Sequence, residues 1–142
     1  MYDNDFKEVK YSSVRTIEDF YAKLTKSKYT KVLPPKFSDI KDQLESGIDV
    51  LFIGCPCHVN ALKTYLNSTY KNLITISLVC HGACSPDEYK KIIDKYYFND
   101  KSKLVNVDMR PNHESYSIFT YSNGNSRKID NLEFLQMCKQ CK

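Results

Sequence analysis

The sequence contains no tryptophan, only three arginines among its 21 basic residues, and no apolar stretch near the roughly 20 residues that a membrane-spanning helix requires. A transmembrane protein is therefore not expected. The opening Met1-Tyr-Asp-Asn-Asp-Phe-Lys-Glu is charged where a secretory signal is apolar, so the chain reads as cytoplasmic. Its lysines are scattered among 17 acidic residues, with no basic block and no basic run interleaved with aromatics. The net charge of +4 thus belongs to solvated lysine-rich faces and not to a nucleic-acid surface. No repeat, low-complexity tract or Gly/Ser-rich linker divides the 142 residues, and a single α/β domain over 1–142 is expected. A chain of this length removes about two thirds of its unfolded surface on folding, so it needs no disulfide framework.

Local signals order what is present. Thr16 followed by Asp19 marks a helix running to about Lys26, with Ile17, Phe20 and Leu24 on one face. Val32-Leu33-Pro34-Pro35 imposes an extended turn, because proline disfavours helix in the residue before it. Ser38 is the expected cap of a second helix that turns Ile40 and Leu44 inward and ends at Gly47. Ile48 to Ile53 is an apolar run bounded by Gly47 and Gly54, the pattern of a buried strand. Pro56 suits the first turn of the next helix, with Val59, Leu62 and Leu66 as its stripe. A second apolar run, Leu73 to Val79, completes strand, helix and strand, which implies parallel strands joined by a right-handed crossover.

Ser85-Pro86-Asp87-Glu88 combines a cap, a proline at the first helical position and a carboxylate that returns the capping bond. This helix should reach about Tyr97. Within the helical segments Tyr65, Tyr89, Tyr96 and Tyr97 share spacing with Leu66, Ile92 and Ile93, as core and surface aromatics do and cofactor stackers need not. Leu104 to Met109 and Tyr116 to Tyr121 read as strands, and Asn123-Gly124 turns the second back toward Arg127 to Ile129. A short helix, Leu132 to Met137, then delivers Cys138 and Cys141. The expected class is α/β: a central sheet with a parallel βαβ core and an antiparallel hairpin, helices on its faces.

All six cysteines fall in three clusters: Gly54-Cys55-Pro56-Cys57, Cys80-His81-Gly82-Ala83-Cys84 and Cys138-Lys139-Gln140-Cys141. In a cytoplasmic chain such usage favours metal or thiol redox chemistry over structural disulfides. The first two clusters follow the carboxyl ends of the expected parallel strands, where open α/β sheets place their ligand sites. Cys57 also falls in the first turn of its helix, where the dipole and backbone N–H groups favour the thiolate that binds metal or attacks. Cys138 and Cys141 have the spacing with which two thiolates grip one metal centre. A lone Cys80 at a strand end is more often a small buried hydrophobe, and a lone terminal pair is only suggestive. Together the clusters point to one soft-metal or thiol redox site, with zinc and iron–sulfur equally compatible.

The runs VLFIGCPCHVNALKTYL and NLITISLVCHGACSPDEY, with SKY at 27–29 and the final CKQC, resemble the coenzyme F-420 hydrogenase/dehydrogenase beta-subunit family from about Ser27 to Cys141. Members are flavin- and iron–sulfur-dependent oxidoreductases, including reductases of deazaflavin and of chlorophyll-type substrates. The resemblance implies that Cys57, Cys80, Cys138 and Cys141 bind one four-iron, four-sulfur (4Fe-4S) cluster and that the full-length family member carries FAD. It implies an oxidoreductase whose electrons pass through the cluster to a redox partner protein or a small-molecule carrier, with oligomerisation compatible. Backbone N–H groups around Gly54, Gly82 and Ala83 would then face the cluster sulfides. His81 and Arg110 are candidates for places behind the ligands or facing the flavin, and Lys28 for a flavin or substrate phosphate. The family pattern usually has threonine at Cys55, glutamine at His58 and proline at Cys84. Segments tied to the flavin half of the site usually lie upstream and downstream, so the chain reads as the cluster-binding part of a longer protein, with activity belonging to the whole.

Two other accounts use the same thiols. One is a non-catalytic module in which zinc occupies the cysteine site. The other is a thiol-disulfide redox protein using Cys55 and Cys57, or Cys57 and Cys84, as its exchange pair.

Overall fold

The computed structural model describes residues 5–23, 28–80, 82–99 and 101–135. Its elements are α1 (Ile17–Lys23), α2 (Phe37–Glu45), β1 (Val50–Gly54), α3 (Pro56–Leu66), β2 (Leu73–Ser77), α4 (Pro86–Tyr96), β3 (Phe98–Asn99), β4 (Ser102–Met109), a 3-10 turn (Pro111–His113), β5 (Tyr116–Tyr121), β6 (Ser126–Asp130) and α5 (Leu132–Leu135). They belong to two compact units: Pro34–His81, and Met1–Leu33 together with Gly82–Lys142. The parallel pair and the antiparallel strands form separate sheets, β1-β2 and β3-β4-β5-β6, where the sequence had suggested one central sheet. Backbone pairing is a long-range choice that apolar runs alone do not specify.

In the unit Pro34–His81, β1 and β2 pair in parallel from Val50↔Leu73 to Gly54↔Ser77, as the βαβ reading requires. Phe52 is buried, along with Ile40 and Leu44 of α2 and Val59, Leu62 and Leu66 of α3. The strands were expected to be buried throughout, yet Leu51, Ile74 and Ile76 remain 54, 65 and 45% exposed. Among the described residues of this unit, α2 and α3 bury the face that carries Phe52. The second helix begins at Phe37 with Lys36 as its cap, and Ser38, expected as the cap, bonds the neighbouring Asp39 carboxylate at 3.2 Å. The Phe37 ring, at the start of this helix, meets Phe52 at 6.4 Å and Tyr65 at 5.8 Å. Gly47 at φ +78 ends the helix as anticipated, with its N–H on the Leu44 carbonyl and that of Ile48 on Gln43. Asn72 then ties this turn to β2 by donating to the carbonyls of Leu44 at 3.0 Å and Ile48 at 2.8 Å.

In the other unit, β5 alternates in burial, turning Ser117, Phe119 and Tyr121 inward. They join Cys84, Tyr89, Ile93, Tyr96, Leu104, Val107, Met109, Ile129 and Phe134 in the buried core of this unit. Tyr89 and Tyr96 are thus core aromatics, as their spacing suggested. The Ser85–Glu88 capping box is present, with the Glu88 N–H on the Ser85 hydroxyl and the Ser85 N–H on the Glu88 carboxylate, both at 3.3 Å. Gly124, at φ +83, closes the β5–β6 hairpin. Thr16 caps α1 by accepting from the Asp19 N–H at 3.1 Å, but this helix buries no side chain. Short β3 and the 3-10 turn carry too little pattern to be read beforehand. Residues 24–26 and 136–137, at the ends of two expected helices, lie outside the described residues.

Candidate cysteine site

Two of the cysteine clusters begin at neighbouring strand ends. Gly54 pairs with Ser77, and the Leu78 N–H donates to the Gly54 carbonyl at 2.9 Å, so β1 and β2 finish side by side. Cys57 and Cys80 each follow a member of that last pair by three residues. Both are exposed, free thiols. Exposure removes the reading of Cys80 as a core residue.

Local structure explains the placement of Cys57. Cys55 is the cap of α3, with extended backbone at φ −65 and ψ 157. Its carbonyl accepts from the N–H groups of His58 at 2.9 Å and Val59 at 3.0 Å. Pro56 occupies the first turn, where a missing N–H costs nothing. Cys57 thus lies on the outer side of the opening turn while Val59 and Leu62 turn into the core. Cys55 and His58 are half-buried, and burial lowers the pKa of His58 from its ordinary 6.5 toward the neutral imidazole.

Cys84 has a different role. It is fully buried, and its N–H and S–H both donate to the carbonyl of Tyr29, at 3.0 and 3.2 Å. The Lys31 N–H donates in turn to the Cys84 carbonyl at 2.8 Å, and Thr30 bridges Cys84 in parallel. This thiol is therefore a core hydrogen-bonding group, shielded from thiol-disulfide exchange, which needs an accessible thiolate. The spacing suggested a site residue; only the fold reveals a packing one.

Lys28 and Arg110 fall in the same unit as Cys84. Lys28 is half-buried and immediately precedes Tyr29. Arg110 is exposed, in left-handed backbone at φ +58, and its N–H donates to the Tyr116 carbonyl at 3.2 Å. Burial raises the pKa of the Tyr29 phenol above 10.0, and the nearby positive charge of Arg110 opposes that rise. Tyr29 links the two candidates: one adjoins it in sequence, the other acts on its phenol. His113, in the turn after Arg110, is exposed.

His81, Cys138 and Cys141 lie outside the described residues. Among the described residues no three His, Cys, Asp or Glu side chains converge as a metal-holding group. A four-iron cluster takes four thiolates, and for such a group Cys57 and Cys80 fit as donors while Cys84 does not.

The structure thus presents a parallel βαβ unit with exposed thiols past both strand ends. The family model for the carboxyl-terminal part of the coenzyme F420 hydrogenase/dehydrogenase beta subunit matches residues 48–142, from just before β1 onward. The chain belongs to that family, whose name makes it part of a redox enzyme subunit. No curated protein and no solved structure gave a significant match. No helix among the described residues is long and apolar enough to cross a membrane.

Proposed function

We propose that this chain is the cluster-holding part of an oxidoreductase beta subunit, with Cys57, Cys80, Cys138 and Cys141 as ligands of a 4Fe-4S cluster that passes electrons between a flavin and a redox partner. The observation that carries the reading is the pair of exposed thiols, Cys57 and Cys80, three residues beyond the last paired residues of β1 and β2, in a chain of this family. When bound, the cluster supplies a one-electron outlet for the two electrons a flavin accepts as hydride.

The chain's own residues hold and tune that site. Pro56 and the cap at Cys55 keep Cys57 on the first turn of α3, and the adjacent strand end presents Cys80. Backbone N–H groups around Gly54, Gly82 and Ala83 would donate to the cluster sulfides, and His81 is a candidate for a place behind the ligands or facing the flavin. Lys28 and Arg110 supply positive charge to an anionic group of the flavin or substrate. The electron acceptor is a redox partner protein or a small carrier.

Anaerobic purification with iron, sulfide and zinc counted per chain, and a visible spectrum before and after dithionite, tests this reading. Roughly four iron and four sulfide with a broad band that bleaches on reduction are expected. Cys57→Ser and Cys80→Ser each lower the iron content, whereas Cys55→Ser leaves it unchanged. About one zinc per chain, with no iron taken up on reconstitution, overturns the assignment in favour of a structural module.

A further inference from the structure

We propose that Asn123 is a deamidation site held in reserve: in the folded β5–β6 hairpin two hydrogen bonds keep the Asn123-Gly124 linkage unreactive, and opening of the turn releases it to form aspartate and isoaspartate.

The turn is fully bonded. β5 and β6 pair as far as Thr120↔Ser126. Beyond that pair the Tyr121 N–H donates to the Asn125 carbonyl at 2.9 Å, which leaves Ser122, Asn123 and Gly124 as a three-residue loop. Gly124, at φ +83, takes the left-handed position that such loops reserve for glycine. Its N–H donates to the Tyr121 carbonyl at 2.9 Å. The Asn123 side-chain oxygen accepts from the Asn125 N–H at 3.0 Å, an Asx turn laid over the backbone one.

The Gly124 N–H and the Asn123 side-chain carbonyl are the two reactants of succinimide formation. In that reaction the Gly124 nitrogen gives its proton to solvent base and bonds to the side-chain carbonyl carbon of Asn123, while the side-chain nitrogen takes up a proton and leaves as ammonia. Water then opens the ring at one carbonyl or the other, giving aspartate or isoaspartate. The net change is an amide and a water becoming a carboxylate and an ammonium ion. Glycine favours the attack because it has no Cβ to hinder its nitrogen. In the hairpin, however, that nitrogen's proton is committed to Tyr121 and the carbonyl is anchored on Asn125, so neither is free to turn to the other. Burial adds no second guard. Asn123 and Gly124 are exposed, and nothing lies within 4 Å of the place a Cβ on Gly124 would take. Protection therefore rests on the bonded turn, and its strength is the free energy of opening that turn.

Isoaspartate lengthens the backbone of a loop whose length sets the β5–β6 register. β6 ends the order of its sheet with β5 as its neighbour, so the disturbance falls on β6. The isoaspartate form is expected to lose amide protection over 126–130.

The test incubates the whole chain at mildly alkaline pH, native, in guanidinium chloride below the unfolding transition, and fully unfolded, with Ser126→Gly alongside. Ser126→Gly removes the hydroxyl contact with Thr120 at 3.3 Å and loosens the pair next to the loop. Peptide mass spectrometry with fragmentation follows aspartate and isoaspartate at position 123, and hydrogen exchange follows the Gly124 amide. The native chain is expected to deamidate at Asn123 at least about tenfold more slowly than the unfolded one. Ser126→Gly and low guanidinium are expected to raise the deamidation rate and the Gly124 exchange rate by the same factor. Native deamidation at the unfolded rate overturns the guard. Faster Gly124 exchange with no faster deamidation, in either condition, overturns the opening route. An unfolded chain that gives no product at position 123 overturns the site itself.

Discussion

The carbonyl oxygen of Tyr29 accepts two hydrogen bonds from Cys84, from the backbone nitrogen at 3.0 Å and from the sulfur at 3.2 Å. One acceptor with two lone pairs is thus saturated by a single residue more than 50 positions away in sequence. The pairing gives Cys84 an occupation that its sequence context conceals, and it separates the cysteines into two kinds. Exposed thiols react; a buried, hydrogen-bonded one does not.

That separation is measurable without any metal. In the metal-free native chain, iodoacetamide is expected to label Cys57 and Cys80 quickly and Cys84 only after denaturant is added. Peptide mass spectrometry over a time course reads this directly. Labelling of Cys84 at the rate of Cys80 in the folded protein would contradict its burial.

The capping box of α4 offers a test of local stability. Ser85→Ala removes both the acceptor for the Glu88 N–H and the hydroxyl that meets the Glu88 carboxylate at 2.8 Å. A loss of about 1 kcal/mol is expected, seen as a lower urea midpoint with an unchanged slope. Ser85→Asp keeps an acceptor and should recover most of it.

Tyr121 is 1% exposed and donates to the Tyr96 carbonyl at 2.9 Å. Burial, the largest influence, raises its pKa above 10.0. The unfolded chain loses the proton near 10.0 and the folded chain only at higher pH, so above 10.0 the folded state binds more protons. The associated stability is therefore complete below pH 10.0 and is lost as pH rises through the folded value. Tyr121→Phe should cost about 1 kcal/mol at neutral pH and flatten the alkaline fall in stability, measured by denaturation at a series of pH values. An unchanged alkaline slope would show that other groups govern it.

Leu62 is 0% exposed in the core of the unit Pro34–His81. Leu62→Ala is expected to cost about 2–5 kcal/mol by opening a cavity. Hydrogen exchange at β1 and α3 should accelerate accordingly. Protection equal to the wild type would show that the surrounding side chains close the gap.

Much of the local structure was legible in the residues. Ser85-Pro86-Asp87-Glu88 marked the start of α4, Gly47 the end of α2, Pro56 the start of α3 and Asn123-Gly124 the hairpin, and each is where its signal placed it. Such signals work because caps, prolines and positive-φ glycines act over three or four residues. Part of the candidate site was equally legible: the apolar runs Ile48 to Ile53 and Leu73 to Val79 predicted thiols past parallel strand ends, and Cys57 and Cys80 lie three residues past the paired ends Gly54 and Ser77.

The sequence by itself determined the mixed α/β class, the order of the longer helices and strands, and the three clusters of cysteines. Tertiary structure alone decided that Cys84 belongs to a core and Cys80 to a surface, that the helix at Phe37 starts one residue before its apparent cap, and that the strands form two sheets. Propensity and spacing act between near neighbours, whereas burial, ring contacts and strand pairing depend on partners tens of residues away. The double hydrogen bond from Cys84 to Tyr29 spans 55 positions, and no local pattern encodes it.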